Sequence, residues 1–235
     1  MKLKSQRQKA KESTITKIVK AAEKLFFSKG IAQTTMDEIA TLANCSKATL
    51  YSYFPSKEEL IFAIAKKGNE KCQSMLTKAA SSFNTGADKV RAIGYEFFNF
   101  AATYPDYYHY LSLYVSIDLY KMDDENAKAL LNIDKILAEN IEIGIQDGTI
   151  KDSANADVIA KCLWFMAHGL IQFISNKGEL LESATAIKTK DMLSTCFIIL
   201  EDSLAVDPQY RGLIDKNPHM FDALAKKLLS NKTKV

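Results

Sequence analysis

The sequence has 235 residues, of which 47% are hydrophobic, but only 9 are Gly and 4 are Pro. This length supports one or two domains with a substantial core, and so little Gly and Pro disfavours a β-rich fold, which uses both residues in its turns. The net charge is uneven, because residues 1–57 hold 11 Lys/Arg against 4 Asp/Glu, whereas residues 58–235 hold 20 against 24. A positive first quarter indicates an end that meets a polyanion, although a solvated lysine-rich tail explains the charge alone equally well.

Several classes of protein are disfavoured by features that the sequence lacks. The longest apolar run, Cys162 to Ile174, is 13 residues long and too short to span a bilayer, and the basic N-terminus lacks the apolar core of a signal peptide. The four cysteines form no CxxC pair, which is typical of a cytoplasmic chain with reduced thiols. No metal-ligand spacing of histidines, phosphate-binding loop or nucleophile elbow occurs. We therefore predict no catalytic residue, no metal, no cofactor and no enzymatic activity.

The chain begins with a basic arm, residues 1–12, which we expect to be disordered or to form the frayed start of a helix. Ser13 or Thr14 then caps a helix that Gly30 ends. Its apolar residues recur at helical spacing, namely Ile15, Ile18, Val19, Ala22, Leu25 and Phe26. This helix offers an apolar stripe on which further helices can pack.

Residues 34–60 encode two short helices and the start of a third. Thr35 with Glu38 forms a capping box that opens a helix at Met36, and Asn44 is a plausible left-handed stop. Ser46 is the N-cap of Lys47–Tyr53, Pro55 ends that helix, and Ser56 with Glu59 forms a second capping box. A helix, a tight turn, a second helix and then a long helix are the arrangement of a helix-turn-helix DNA reader.

The remaining sequence shows helical periodicity and no period-2 alternation. The long helix is expected to end near Ser81, and further helices are predicted at about 88–104, 106–120, 123–148, 156–177, 186–205 and 218–229. The predicted fold is therefore all-α, with a three-helix helix-turn-helix domain at 13–60 and a second helical domain at 61–235.

The N-terminal region resembles the DNA-binding region of tetracycline-repressor (TetR) type regulators. The matching residues are Ala22, Leu25, Phe26, Gly30, Thr35, Ile39, Ala40, Ser46, Thr49, Leu50, Tyr51, Tyr53, Phe54, Lys57 and Leu60. The resemblance implies a homodimer of nine- or ten-helix chains that binds a palindromic operator in double-stranded DNA and responds to a small ligand. It thereby makes residues 61–235 a helical ligand-binding and dimerisation domain. Residues 207–235 extend past the last dimer helix usual in this family.

The helix Lys47–Tyr53 carries the residues that we expect to read DNA. A lysine such as Lys47 can donate to guanine, and the methyl group of Ala48 can contact thymine. The hydroxyl groups of Thr49, Tyr51 and Tyr53 can bind phosphates, although Tyr53 can instead pack under the long helix.

Two helix starts and one cap complete this predicted site. Thr35 and Lys57 lie where free N–H groups and the helix dipole favour an anion, with surface solvation as the alternative for each residue. Ser46 is included in the site, but its role as an N-cap is the better explanation for it.

One such unit offers few base contacts, whereas a dimer places two reading helices about 34 Å apart on successive turns of DNA. Two apolar helices could form a four-helix bundle with their symmetry mates. The candidate contact residues are Leu163, Ala167, Leu170, Ile171, Ile174, Met192, Cys196, Ile199 and Leu200. Packing inside one chain is the competing explanation for each of them.

The segment 95–114 is rich in aromatic side chains, which could line an apolar ligand cavity. We expect Phe97, Tyr114, Trp164 and His168 to face it, while core packing is the ordinary alternative for each. The sequence thus predicts a ligand-responsive transcriptional regulator, with repression of a palindromic operator and release by a small hydrophobic or aromatic effector. The alternative is a helical lipid- or hydrophobe-binding protein whose basic end contacts membranes. Operator, effector, regulated genes and the sign of regulation are not encoded in any visible motif.

Overall fold

A computed structural model describes residues 2–116, 132–153, 155–206 and 219–231, in which the backbone forms ten α-helices and one isolated β-bridge, between Ile150 and Ala205. The prediction of an all-α fold is therefore confirmed. The helices are α1 (Lys2–Lys29), α2 (Met36–Leu42), α3 (Lys47–Tyr53), α4 (Lys57–Ser81), α5 (Gly86–Thr103), α6 (Pro105–Ser116), α7 (Asn132–Gln146), α8 (Ala156–Ala184), α9 (Thr189–Leu204) and α10 (Met220–Ser230). The predicted start of α7 near residue 123 lies outside the described residues.

The first three helices and the beginning of α4 enclose a small core of their own. Its fully buried members include Ile18, Ile39, Leu50 and Leu60, each with 0% of its surface exposed. This core continues along α4 to Ile64, four residues past the predicted domain boundary. The N-terminal unit therefore ends inside a continuous helix and not at a flexible linker.

Local capping sets the breaks between these short helices. Gly30 has a φ of 82° and ends α1, while Asn44 has a φ of 52° and lies in the turn between α2 and α3. The side chains of Thr35 and Ser46 accept hydrogen bonds from the first turns of α2 and α3. Ser56 caps α4 by accepting from the Glu59 N–H at 3.4 Å, which is one half of the capping box predicted there. The sequence-based boundaries of α2 and α3 are thus confirmed.

The N-terminal arm follows the second of its two predicted alternatives, the start of a helix. Helix α1 starts at Lys2, so residues 2–12 continue the helix and do not form a disordered arm. The segment contains Lys, Gln, Arg, Ala and Glu, which are good helix formers, and neither Gly nor Pro. Exposed side chains over residues 8–13 show that this part of the helix packs on nothing within the described chain.

The C-terminal helices α5–α10 pack with the second half of α4 around a larger core. It includes Phe100, Leu111, Ile141 and Ile171, all at least 99% buried. Helix α4 is 25 residues long, or about 38 Å at 1.5 Å per residue, and contributes to both cores. A displacement of α4 would therefore be felt in both units.

Helix α5 is fastened to α7 at its N-terminal end. The Gly86 N–H donates to Asp147 Oδ2 at 2.7 Å, and the Ala87 N–H donates to Thr149 Oγ1 at 3.1 Å. A Cβ atom at Gly86 would lie 2.1 Å from the Cα atom of Gly144 in α7. Only glycine allows the two helices to approach this closely.

The C-terminal extension forms helix α10, which packs on the bundle. Phe221, Leu224 and Leu228 of α10 are buried, and Phe221 contacts the ring of Phe197 in α9, with ring centroids 5.1 Å apart. The Asn231 amide donates to the carbonyl oxygens of Ala101 and Ala102 at the end of α5. The extension is thus part of the core, although residues 207–218 lie outside the described residues.

Helix α8 is longer than predicted, and the face expected at a dimer interface is turned into the core. Ile171 and Ile174, expected at a dimer interface, are buried in the core, and Leu163 and Ala167 also face inward. The exposed apolar residues are Val158, Phe165, Met166, Phe173 and Leu180, with Ile198 and Ile199 on α9. The helix is apolar on all sides, so periodicity could not identify its outer face.

Helix α8 also changes the expectation about membrane spans. The predicted apolar run of 13 residues lies within a helix of 29 residues, which has the length and composition of a membrane-crossing segment. Length and composition alone do not distinguish such a segment from a helix that packs on protein. Here one face of α8 packs on α7 and α10.

Candidate nucleic-acid interface and internal cavity

Helix α3 presents a short exposed face anchored from beneath by one residue. Leu50 is fully buried, whereas Lys47, Ala48 and Tyr51 are exposed on the opposite side. The helix has 7 residues, so it is about 10 Å long, which matches a major groove of about 12 Å. The predicted base readers Lys47 and Ala48 therefore lie at the exposed start of a helix of suitable size.

The remaining predicted DNA contacts lie around α3 with different exposures. Ser46 Oγ accepts from the Thr49 N–H at 3.0 Å, which makes Ser46 a cap. Tyr53 is half-buried and packs against the N-terminal core, as its alternative reading expected. Lys57 is half-buried and donates from Nζ to the carbonyl oxygen of Ile31 at 3.0 Å. None of these contacts tests DNA binding, so these roles stay predictions.

Two ion pairs lie at the N-terminal ends of α2 and α3, on the surface of the N-terminal unit. Lys47 Nζ lies 2.5 Å from Asp37 Oδ2, and both side chains are more than half exposed. Such a pair contributes little to stability, so Lys47 can exchange Asp37 for another acceptor. Lys29 Nζ lies 2.6 Å from Glu38 Oε1, and together with the Thr35 N–H and hydroxyl it lowers the pKa of Glu38 to about 2. Glu38 is therefore ionised at every physiological pH.

Comparison with known proteins agrees with this geometry. Residues 18–64 match the family described as bacterial regulatory proteins, tetR family. The match covers 47 of the 235 residues and so concerns the N-terminal unit. The matched residues run from α1 into α4 and so include both short helices and the capped turn between them. The matched family is described as one of regulatory proteins, which agrees with the prediction that this chain is not an enzyme.

Three relatives illustrate how far the similarity extends. YhgD of Bacillus subtilis, an uncharacterized HTH-type transcriptional regulator, is 28% identical over 189 residues, which cover 80% of each chain. The HTH-type transcriptional regulator TtgR of Pseudomonas putida is 38% identical over 53 residues, which cover 23% of this chain and 25% of TtgR. A putative tetR family transcription regulator from Shewanella sp. PV-4 has a TM-score of 0.61 at 19% identity, covering 83% and 99% of the two chains.

The match with TtgR spans only about a quarter of that protein's length. The likeness to the Shewanella structure, at 19% identity, shows the fold alone. The C-terminal helices must be interpreted from their own residues.

The C-terminal unit encloses an apolar cavity of about 90 Å³ between α5, α7, α8 and α9. Phe97 and Trp164, both predicted to face a cavity, line it. His168 lies behind Trp164, with ring centroids 4.9 Å apart, and its Nδ1 is 3.0 Å from the Tyr108 hydroxyl oxygen. The described lining does not include His168, so this residue is a hydrogen-bonded neighbour of the cavity. The side chain of Tyr114 lies outside the described residues.

A buried ion cluster in the cavity wall was missed by the sequence analysis. Arg91 has only 5% of its side chain exposed, and it donates from Nε to Glu201 Oε1 at 2.6 Å and from Nη1 to Asp88 Oδ1 at 2.5 Å. A usable signal was present, because Arg91 lies at helical spacing from Ala87 and Gly94 on the buried face of α5. A buried guanidinium requires such partners.

Helix α6 connects the cavity region with the N-terminal unit. Tyr107 donates its hydroxyl to Glu23 Oε1 at 3.0 Å, and Lys67 Nζ contacts both oxygens of Glu23 at 2.7 Å. Burial is the largest single effect and lowers the pKa of Lys67, but Glu23 and Tyr107 together outweigh it, so the net shift is upward. Tyr110 stacks on Phe26 of α1, with ring centroids 6.1 Å apart.

The next residue on α6 faces the other way. Tyr108 contacts Phe97 in the cavity wall, with ring centroids 6.1 Å apart, and the Tyr108 hydroxyl also reaches His168. Neighbouring residues of one helix thus contact both functional regions.

Proposed function

We propose that this chain is a ligand-responsive transcriptional regulator that binds a palindromic operator as a homodimer. In this proposal it is a cytoplasmic repressor that a small hydrophobic or aromatic effector releases from DNA, and it needs no cofactor. The single observation that carries the proposal is the exposed start of α3, with Lys47 and Ala48 on a capped helix of groove-matching length. The match of residues 18–64 to TetR-family regulators supports it.

The outer face of α8 and α9 supports the homodimer. Phe165 and Leu180 are each 63% exposed and Ile199 is 56% exposed, so large apolar side chains are left uncovered on two neighbouring helices. A two-fold partner would bury the same face on both chains, since a symmetric interface is self-complementary. Two chains would then present two copies of α3, and each copy could bind one half-site of the operator.

Helix α6 supplies a physical link for the effector response. An effector that displaces Phe97 or Trp164 would also move Tyr108, and the rigid helix would carry Tyr107 and Tyr110 against α1 and α4. An effector that favours a conformer with misplaced reading helices lowers the affinity for DNA, and DNA lowers the affinity for the effector by the same factor.

The decisive experiment measures binding to duplexes selected from a random pool, by fluorescence anisotropy at several salt concentrations. We expect selected sites to be palindromic and Lys47→Ala to weaken specific binding at least fivefold, because a base contact contributes about 1–3 kcal/mol of discrimination. The matched control is Lys135→Ala, which removes an exposed lysine from α7. Equal weakening by both variants, or no sequence preference at all, would contradict the proposal.

One observation favours the alternative of a membrane-contacting protein. Helix α8 is apolar enough to contact lipid, and the first quarter of the chain is basic. Vesicles containing anionic lipid separate the two functions. The regulator should bind duplex DNA with a strong salt dependence and leave the vesicles unbound, whereas preferential binding to vesicles would favour the alternative.

A further inference from the structure

We propose that the cavity binds a small, uncharged and mostly apolar molecule with one hydrogen-bond acceptor directed at the indole N–H of Trp164. The inference rests on the proposed function, because it names the chemical class of the effector. It follows from three properties of the cavity, which are its charge, its one free polar group and its size.

The charge of the cavity wall disfavours an ionic ligand. Among its described lining residues only Arg91 and Glu201 are charged, and they are bonded to each other at 2.6 Å. Asp88 occupies a second position on the same guanidinium. An anion would have to displace a buried carboxylate from Arg91, and a cation would have to displace Arg91 from Glu201. Either exchange leaves a buried charge without its partner.

The indole N–H of Trp164 is the polar group that a ligand can satisfy. Trp164 lines the cavity, and its Nε1 is buried without a hydrogen-bond acceptor in the described part of the chain. A buried donor of this kind has lost its bond to water and gained none in return. A carbonyl or ether oxygen placed against Nε1 restores that bond, whereas a hydrocarbon of the same shape does not.

The size of the cavity limits the ligand. Its volume of about 90 Å³ is smaller than the cavity of about 150 Å³ that admits benzene in an engineered protein core. A ring of five atoms or a short chain therefore fits without rearrangement. A larger ligand requires movement of Phe197, which lines the cavity and packs against the ring of Phe221 in α10.

Three rings that differ in one atom test the proposal: tetrahydrofuran, cyclopentane and pyrrolidinium. Dissociation constants are measured by ligand-observed NMR on the full chain. Fluorescence of Trp164, the only tryptophan, reports binding at this cavity in the wild type. We expect both neutral rings to bind saturably and pyrrolidinium to bind at least tenfold more weakly than tetrahydrofuran.

The variant Trp164→Phe isolates the hydrogen bond. It should weaken the binding of tetrahydrofuran about 2- to 12-fold more than that of cyclopentane, which is the range expected for one net hydrogen bond. A second variant, Gly94→Ala, adds a methyl group in the cavity wall, 3.4 Å from Phe197, and should weaken both neutral rings equally.

The outcomes separate this inference from the proposed function. Tight binding of pyrrolidinium, equal effects of Trp164→Phe on both neutral rings, or no binding of either ring overturns the ligand class. DNA affinity is measured in parallel with each ring. If tetrahydrofuran binds as expected while DNA affinity is unchanged, the ligand class stands and the effector response fails. If no duplex is bound specifically, the proposed function fails and the cavity result is unaffected.

Discussion

Single side chains set where each helix of the DNA-reading unit begins. Thr35, Ser46 and Ser56 each accept a hydrogen bond from the N–H three residues later, at the start of α2, α3 and α4. The free N–H groups of a helix start need such acceptors. At Thr35 the cap is reciprocal, because Glu38 Oε2 accepts from the Thr35 N–H at 2.8 Å. The position of α3 therefore depends on a few local contacts.

The capping box at α2 predicts a defined acid dependence. The pKa of Glu38 falls from 4.5 to about 2 on folding, mainly through Lys29 and the Thr35 backbone. A carboxyl group whose pKa is lowered stabilises the fold above its unfolded pKa, and this contribution is lost as the pH falls toward the folded value. Glu38→Gln should lower Tm above pH 4.5 and have no effect near pH 2, measured by circular dichroism melts.

The control for this measurement is Glu70→Gln, which makes the same change at an exposed position of α4. Its Tm should track the wild type across the titration. A Glu38→Gln deficit that is the same at pH 7 and pH 2 would show that ionisation of Glu38 is not the cause.

Close approach between whole elements holds the C-terminal unit together. Helices α5 and α7 meet at Gly86 and Gly144. In the turn after α7, Asp147 and Thr149 accept hydrogen bonds from the first N–H groups of α5. Helix α10 closes the opposite side through Phe221 and through Asn231, which satisfies carbonyl groups at the end of α5. Helix α5, which forms one wall of the cavity, is thus bonded to other elements at both of its ends.

The contact between α5 and α7 predicts an asymmetric response to glycine substitution. Gly86→Ala would place a Cβ atom 2.1 Å from the Cα atom of Gly144, so backbone must shift, and we expect a loss of about 1–3 kcal/mol in the free energy of unfolding. In Gly94→Ala the nearest atom is 3.4 Å away, and helix propensity favours alanine. Urea denaturation should show the first variant destabilised and the second unchanged or stabilised. Equal stability of the two would contradict the helix contact.

At the scale of the molecule, one chain contains the N-terminal unit with α3, the cavity of the C-terminal unit, and an exposed apolar face on α8 and α9. The N-terminal core and the C-terminal core share α4, and Tyr107, Tyr108 and Tyr110 of α6 contact both regions. The uncovered face of α8 and α9 lies apart from both cores, since its residues are exposed while the opposite side of α8 is buried. The arrangement is suited to a protein whose two copies must be held at a fixed separation.

The proposed homodimer makes a prediction about mass and affinity. Phe165→Glu places a charge on the exposed apolar face of α8, where a partner chain would have to desolvate it. Sedimentation equilibrium should give twice the chain mass of 26.2 kDa for the wild type and a shift toward the single chain for the variant. Affinity for a full palindrome should fall, while affinity for a half-site should not.

The matched control for the dimer is Ile143→Glu, an exposed apolar residue of α7 outside this face. It should leave the mass unchanged. A wild type that sediments as a single chain, or a Phe165→Glu variant that remains a dimer, would remove this face from the proposed assembly.

The sequence by itself determined the N-terminal unit almost completely. Thr35, Asn44 and Ser46 act within three or four residues of themselves, so their hydrogen bonds and backbone angles are encoded locally and were predicted correctly. The same holds for the all-α fold, which follows from periodicity and from few Gly and Pro. The order of the C-terminal helices was also predicted, with ends displaced by several residues.

Only the tertiary structure decided which face each C-terminal helix turns inward. Ile171 and Ile174 were assigned to a dimer interface but are buried, whereas Phe165 and Leu180 are exposed. A helix that is apolar on all sides can bury apolar surface with any of its faces turned inward, so its sequence does not select one. The pairing of Arg91 with Glu201 spans 110 residues of sequence, so no local pattern encodes it. Burial of a side chain depends on what packs against it, and that partner comes from elsewhere in the chain.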